Sequence, residues 1–257
     1  MQYLIICAAA LVTSGLTLFS GFGLGTLLMP VFAVFFPVEI AVALTAIVHF
    51  LNNLFKLALL GRHADRSAVL WFGLPAILAA TLGAWTLIWL TGMQPLMDYA
   101  FAGRELHVMP VKLVVAVLMI FFALLEILPA FESIAFERKH LPFGGVLSGF
   151  FGGLSGNQGA LRSAFLVRCG LSKEGFIATG VVIACLVDIT RLSVYGAHFS
   201  AAGMGRSVPL LTAATASAFL GAFLGNRLLQ KVTMRTIQVL VSLMLLGIAV
   251  GLGTGLI

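Results

Sequence analysis

Long apolar stretches separated by short polar segments dominate this chain. Uninterrupted apolar runs of about 20 residues, the length a helix needs to cross a bilayer, cover residues 38–60, 68–91, 110–131, 174–196, 207–227 and 236–257. These runs show no apolar/polar alternation, so each is typical of a membrane-spanning helix. Two more apolar segments, residues 3–36 and 141–169, are broken by glycine-rich turns. The pattern predicts an all-α polytopic membrane protein of about eight helical segments.

The composition excludes an ordinary soluble domain. Apolar residues make up 61% of the chain and charged residues only 9%, against roughly a quarter charged in soluble domains. The net charge of +6 comes from basic residues scattered among short loops, so nucleic acid is not a predicted partner. The three cysteines all lie in apolar segments, and neither a metal site nor a cofactor is predicted.

Two similar halves make up the chain. Residues 23–45 align with residues 157–179 at a constant offset, which pairs Gly25 with Gly159. After one inserted residue the same polar types still meet: Asn53 pairs with Asp188 and Lys56 pairs with Arg191. Internal repeats are common in secondary transporters. Chance matching of glycines in an apolar chain is the alternative.

The predicted repeats are residues 1–131 and 141–257, joined by a charged linker at 132–140. Each consists of a broken opening segment followed by three spanning helices. The opening segments either cross the membrane once or turn back, and the basic loop residues distinguish the two cases because cytoplasmic loops are rich in Lys and Arg. Single crossings divide these residues almost evenly between the two faces. Segments that turn back place most of them on one face. We therefore expect inverted repeats with both termini outside and these loops in the cytoplasm: Arg62, Arg138, Lys173 and Arg227.

Inverted hairpins would bring the two glycine-rich tips together near the middle of the membrane. Each tip would then present the N-terminus of a half-helix, whose free N–H groups favour an anion. Arg162, one turn into the second half-helix, adds a planar cation suited to an oxyanion. Close packing around small residues, with Arg162 reaching an interface, is the alternative. The predicted anion-binding residues here are Gly23, Gly25, Thr26, Asn157, Gln158, Gly159 and Arg162.

A second polar group lies on the helices that follow. His49, Asn52, Asn53 and Lys56 recur every three or four residues, so they share one helical face. On the corresponding helix of the second half Asp188 and Arg191 are near enough to pair. Lys56 and Arg191 either bind substrate or reach toward the interface. Asn52, Asn53, Lys56 and Arg191 complete the predicted substrate-binding set. The proton-coupling candidates are His49, which titrates near neutral pH and is otherwise structural, Asp188 and Glu126.

The duplicated glycine-rich segments GFGLGTLLMP (residues 21–30) and LSGFFGGLSGNQGALRS (residues 147–163) resemble the TauE/SafE, or TSUP, family of sulfite and sulfonate exporters. The resemblance covers nearly the whole chain. It implies transport of a small sulfur oxyanion such as sulfite, sulfoacetate or thiosulfate, coupled to protons or another ion gradient, across a bacterial cytoplasmic (inner) membrane. The second copy departs from the family pattern at Asn157, Gln158 and Arg162.

Three functional classes follow from these features. A secondary transporter agrees with a central polar site and internal symmetry, and an anion channel would share the site without alternating access. An intramembrane enzyme is disfavoured, since the sequence has no HExxH motif and no nucleophile and base pair, so no catalytic residues are predicted. The chain also lacks GxxxxGK[ST], which argues against direct use of ATP. Assembly into a homo-oligomer stays open.

Overall fold

The computed structural model describes residues 1–20, 24–101, 103–128, 135–198, 207–228 and 234–257. These residues form ten α-helices and one two-stranded sheet. The prediction of a helical polytopic membrane protein is confirmed. The two strands, between the fourth and fifth helices, were not predicted.

The first half contributes five helices. A proline precedes the third helix and another begins the fifth helix, because the fixed φ of proline suits a helix start. The Asp65 Oδ1 caps the fourth helix by accepting from the Ala68 N–H at 2.6 Å. The fifth helix stops at Ile127 rather than at residue 131, because Pro129 follows Leu128 and disfavours helical backbone there; residues 129–134 lie outside the described part. The helices are α1 (Gln2–Ser20), α2 (Leu24–Ala33), α3 (Val38–Leu60), α4 (Arg66–Thr91) and α5 (Pro110–Ile127).

The second half contributes five more. α6 (Leu141–Ser155) ends at Gly156, whose φ of 82° is in the left-handed region that favours glycine. The last helix stops at Gly253 rather than at residue 257, since the chain turns at Gly255, φ 75°. The remaining helices are α7 (Gly159–Leu166), α8 (Lys173–His198), α9 (Val208–Leu228) and α10 (Met234–Gly253).

Four of the described helices are long and apolar enough to cross a membrane: Val38–Ala58 within α3, then α4, α5 and α8. The 26 residues of α4 rise about 39 Å, more than the roughly 30 Å of hydrocarbon. Its outer face exposes Trp71, Leu78, Trp85 and Trp89. An exposed apolar surface of this extent is typical of contact with lipid and is unfavourable in water. Shorter apolar helices include α2 and parts of α1, α9 and α10.

Glycines allow α6 of the second half to lie directly against α4 of the first. A Cβ atom on any of three α6 glycines would lie 2.1 to 2.2 Å from an α4 carbonyl oxygen: Gly145 faces Phe72, Gly149 faces Ala76 and Gly153 faces Ala80. Small residues permit this close approach of two membrane helices. A second close pair is α1 with α9, where a Cβ on Gly221 would lie 2.0 Å from the Leu11 oxygen. The opening helix of each half therefore packs on the other half.

One end of the molecule gathers the segments before α4, α6 and α8. The Arg138 Nη2 lies 2.7 Å from the Asp65 Oδ1, and the Asp65 N–H donates to the Thr179 Oγ1 at 2.9 Å. A Cβ on Gly175 would lie 3.4 Å from the His63 oxygen. The turn after α3, the linker end and the start of α8 therefore share one face.

The other end carries the hairpin of β1 (Met97–Phe101) and β2 (Arg104–Val108). The strands pair antiparallel. The Tyr99 hydroxyl donates to the Thr254 oxygen at 2.5 Å, and the Lys112 Nζ donates to the Ile257 oxygen at 2.9 Å. The hairpin, the start of α5 and the chain end after α10 therefore lie together.

Candidate anion-binding site

The second glycine-rich segment forms a hairpin. The Ser148 hydroxyl donates to the backbone oxygen of Gln158 at 3.0 Å, and a Cβ on Gly144 would overlap the Phe165 ring, so α7 runs back along α6. A 15-residue helix rises about 22 Å, less than the roughly 30 Å of hydrocarbon. A helix of this length is thus too short to cross the hydrocarbon on its own.

The first glycine-rich break meets this tip. A Cβ on Gly25, in the first turn of α2, would lie 3.0 Å from the Gly156 oxygen. Thr26 follows and is buried. Gly23 lies outside the described residues. Irregular backbone inside a membrane protein is tolerated where protein or a water-filled cavity surrounds it.

Asn157 is the polar side chain at the tip. Only 2% of its surface is exposed, yet both its Oδ1 and its Nδ2 lack a hydrogen-bond partner among the described residues. Two residues after Asn157, α7 begins at the buried Gly159, and no side chain caps this helix start. An uncapped helix N-terminus next to an unsatisfied amide offers donors to an anion.

Arg162 lies one turn into α7. Its Nη1 donates to the Gln158 Oε1 at 3.3 Å, and its Nε approaches α8 so closely that a Cβ on Gly180 would lie 3.4 Å away. Among the described residues it forms no ion pair within 4 Å. The Arg162 guanidinium thus lies between α7 and α8, and its hydrogen-bond partner there is the uncharged amide of Gln158.

Asp188 joins three elements at the centre of the molecule. Its Oδ2 lies 2.6 Å from the His49 Nδ1 of α3, and its Oδ1 accepts from the Gln158 Nε2 at 3.3 Å. Asn53 contacts both members of the pair, with its Nδ2 3.1 Å from the His49 Nδ1 and 3.5 Å from the Asp188 Oδ2. All four side chains are buried. The predicted proton candidates His49 and Asp188 are therefore in direct contact.

Arg191 is fully buried, and each of its three side-chain nitrogens has a hydrogen-bond partner. Its Nε and Nη2 lie 3.0 and 2.7 Å from the Asp188 Oδ1, and its Nη1 donates to the Gly152 oxygen at 3.2 Å. One turn further, the Tyr195 hydroxyl donates to the Gly153 oxygen. These bonds fix α8 to α6. Arg191 thus contacts an acid, whereas Arg162 has none within 4 Å among the described residues.

Lys56 and Asn52 lie on neighbouring parts of α3. Lys56 is buried, forms no ion pair among the described residues, and lies within electrostatic range of the Arg162 charge. Asn52 accepts from the Ser14 hydroxyl of α1 at 3.2 Å. Its Nδ2 has no partner in the described part of the chain.

Glu126 is not brought into this cluster. It is buried near the end of α5, one turn after Phe122, whose ring packs on Phe151 of α6 at 5.7 Å. Its Oε2 has no partner among the described side chains.

Outside the spanning segments, Asp65 keeps its negative charge readily. The Ala68 N–H and the Arg138 guanidinium hold the pKa of its carboxyl below its usual range. Asp65 is thus a stable anion in the contact between the first loop and the linker.

Sequence reasoning missed Ser148, which holds the start of α7 on α6, and Tyr195, which holds α8 on α6. A signal for Tyr195 existed, because it follows Asp188 and Arg191 on one face of α8 at helical spacing. The carbonyl oxygens of Gly152 and Gly153 that complete these contacts carry no side-chain signal.

The fold and this cluster define a multi-pass helical membrane protein with a buried polar centre between broken helices. The family model of the sulfite exporter TauE/SafE matches residues 6–252, nearly the whole chain. The chain belongs to this family, which confirms the resemblance. The family consists of membrane transporters of sulfite and related sulfur anions, not of enzymes. No curated protein and no solved structure matches the chain.

Proposed function

We propose that this chain is a secondary transporter that exports a small sulfur-containing oxyanion, such as sulfite, sulfoacetate or thiosulfate, across the bacterial cytoplasmic membrane. The anion binds where the glycine-rich breaks meet. Two inverted halves rock about it and expose it to each side in turn.

The observation that carries this proposal is the tip of the α6–α7 hairpin. Asn157 is almost fully buried with both polar atoms unpartnered in the described structure, and Arg162 beside it has a neutral contact in place of an acid. A buried polar group without a partner costs about 1 to 3 kcal/mol. An oxyanion between Asn157, the N–H groups of α7 and Arg162 would accept from the Asn157 Nδ2 and remove that part of the penalty.

His49 and Asp188 supply the coupling in this proposal. Histidine is the side chain whose ordinary titration falls near neutral pH. The Gln158 Nε2 contact links Asp188 to the hairpin that carries Arg162. A proton taken up at the His49–Asp188 pair therefore changes the charge next to the anion.

The basic loops set the orientation. Arg62, Arg138 and Lys173 lie at the face where His63 meets Gly175, whereas Arg104 lies in the opposite hairpin. Arg227 lies outside the described side chains. The positive-inside rule assigns the first face to the cytoplasm.

Sulfite flux in proteoliposomes tests the function. Arg162→Ala should abolish flux while membrane insertion stays intact, and Arg104→Ala, which removes an exposed arginine of the hairpin, should leave flux unchanged. Undiminished flux in Arg162→Ala would remove Arg162 from the site. An imposed proton gradient should drive sulfite against its own gradient; passive equilibration alone would indicate a channel.

A further inference from the structure

The two halves of the chain treat corresponding cations differently. In the second half Asp188 precedes Arg191 by three residues and contacts it at 2.7 Å. At the corresponding positions of the first half, Asn53 precedes Lys56. An amide stands where the second half has a carboxylate, so Lys56 has no acid on its own helix face.

The central cluster consequently holds more positive than negative charge. Its cations are Lys56, Arg162 and Arg191, and its carboxylate, among the described residues, is Asp188. The acid is shared between Arg191 and His49. Neither Lys56 nor Arg162 has an acidic side chain within 4 Å in the described structure, and Asp188 acts on Arg162 only from farther away. Gln158 contacts both Asp188 and Arg162, and Asn53, one turn before Lys56, also contacts Asp188. The charges of Lys56 and Arg162 therefore lie around one centre and act on each other. Two buried or partly buried like charges are costly unless an anion lies near both.

We propose that Lys56 and Arg162 together select anions with two negative charges over anions with one. The inference rests on the proposed anion site and adds the valence of its ligand. A second negative charge interacts with both cations in a medium where Coulomb interactions are stronger than in water. The Asn157 amide and the N–H groups of α7 bind an oxyanion head group whatever its total charge. Lys56 should therefore change the ratio of the two affinities.

Thiosulfate and methanesulfonate are suitable probes. Both have an SO3 head group with one further substituent on its sulfur, and they differ by one charge that does not titrate near neutral pH. Calorimetric titration of the full-length protein in detergent should give tighter binding of thiosulfate. Lys56→Gln should weaken thiosulfate binding about tenfold, the loss of roughly 1.4 kcal/mol of attraction, and should change methanesulfonate binding much less.

Two further variants complete the test. Lys56→Arg keeps the positive charge and should keep the preference for thiosulfate. Lys112→Gln removes a lysine that donates to the chain end at the hairpin face, and should change neither affinity. Equal losses for both probes in Lys56→Gln, or a wild-type protein without a preference, would overturn the inference. If Lys56→Gln does not fold, the wild-type preference and its retention in Lys56→Arg decide.

Sulfite flux in proteoliposomes separates this inference from the proposed function. A preference for thiosulfate that depends on Lys56, in a protein without sulfite flux, would leave the valence selection standing and refute the export of sulfite. Flux that depends on Arg162 but shows equal inhibition by both probes would support the function and refute the valence selection.

Discussion

The imidazole of His49 lies 2.6 Å from the carboxylate of Asp188, across the contact between α3 and α8. A second pair of the same kind, His107 and Asp98, has the same separation in the hairpin. The side chains of the first pair are 4% and 0% exposed, and those of the second are 55% and 68% exposed. The two pairs thus have the same histidine–carboxylate distance, one in the protein interior and the other in a solvent-exposed position. Only the buried pair cannot turn to water when a partner is lost.

Asp188→Asn is therefore expected to destabilise the protein strongly. It leaves the buried Arg191 guanidinium without its acidic partner, and breaking a buried ion pair in this way costs about 3 to 5 kcal/mol. Thermal unfolding in detergent measures the loss. Asp98→Asn is the matched control and should change the unfolding temperature little. Equal effects of the two substitutions would contradict the central role of Asp188.

The pH dependence of transport should reside in His49. The groups that act on its ring are Asp188 and Arg191 of α8, Arg162 of α7 and Asn53 of its own helix. His49→Gln keeps a polar side chain but no longer takes up a proton, so the flux of thiosulfate, whose own charge is constant in this range, should become nearly flat between about pH 6 and 8. His107→Gln should keep the wild-type profile. A wild-type profile in His49→Gln would move the proton role elsewhere.

Local pattern predicted the helical class of the fold and the shared face of His49, Asn53 and Lys56, because spacing along one helix determines which side chains lie together. It did not identify their partners. The contact of His49 with Asp188 joins residues far apart in sequence, and its existence depends on how α3 and α8 pack. Helical periodicity also could not predict that Arg191 forms an ion pair with Asp188 while Arg162 has no acidic side chain within 4 Å among the described residues. The resemblance to a family supplied the class of substrate, which spacing alone did not.

The ends of elements show the same limit. Hydrophobicity continues past Ile127 and past Gly253, so the apolar pattern extended both helices, whereas Pro129 and the turn at Gly255 ended them. The hairpin at 97–108 also escaped prediction. Each strand has only five residues, and β1 is mostly exposed, so the alternation in β2 is too short to identify a sheet from sequence.

Gly149→Ala should disrupt the packing of α6 on α4. The added methyl group would lie 2.2 Å from the Ala76 oxygen, and neither backbone can move without separating the helices. Overpacking of this kind costs about 1 to 3 kcal/mol, which a lower unfolding temperature should report. Gly247→Ala is the control, since its new methyl group would meet no atom of the described residues within 4 Å. An unaltered Gly149→Ala protein would refute the close crossing.

Stability at acid pH should depend on Asp65. Its pKa is depressed, first by the Ala68 N–H and then by Arg138, so its contribution is present above the unfolded pKa of about 3.9 and is lost as the pH falls through the lower folded value. The pair is 44% and 29% exposed, which keeps the effect small. Asp65→Asn can still cap α4 but cannot titrate. Its unfolding temperature should therefore fall less than that of the wild type between pH 5 and about pH 3. Parallel curves would refute the role of the Asp65 charge.

Cysteine accessibility tests the inverted arrangement. Replacing the three native cysteines and introducing a single cysteine at Arg66, Lys173 or Arg104 gives three exposed reporters. Because the turn at His63 contacts Gly175, a membrane-impermeant thiol reagent should label positions 66 and 173 from the same side, the cytoplasm. Position 104, in the hairpin, should label from outside. Labelling of 66 and 173 from opposite sides would mean that the α6–α7 segment crosses the membrane. The tip at Asn157 would then no longer be the end of a hairpin, and the anion site proposed there would lose its basis.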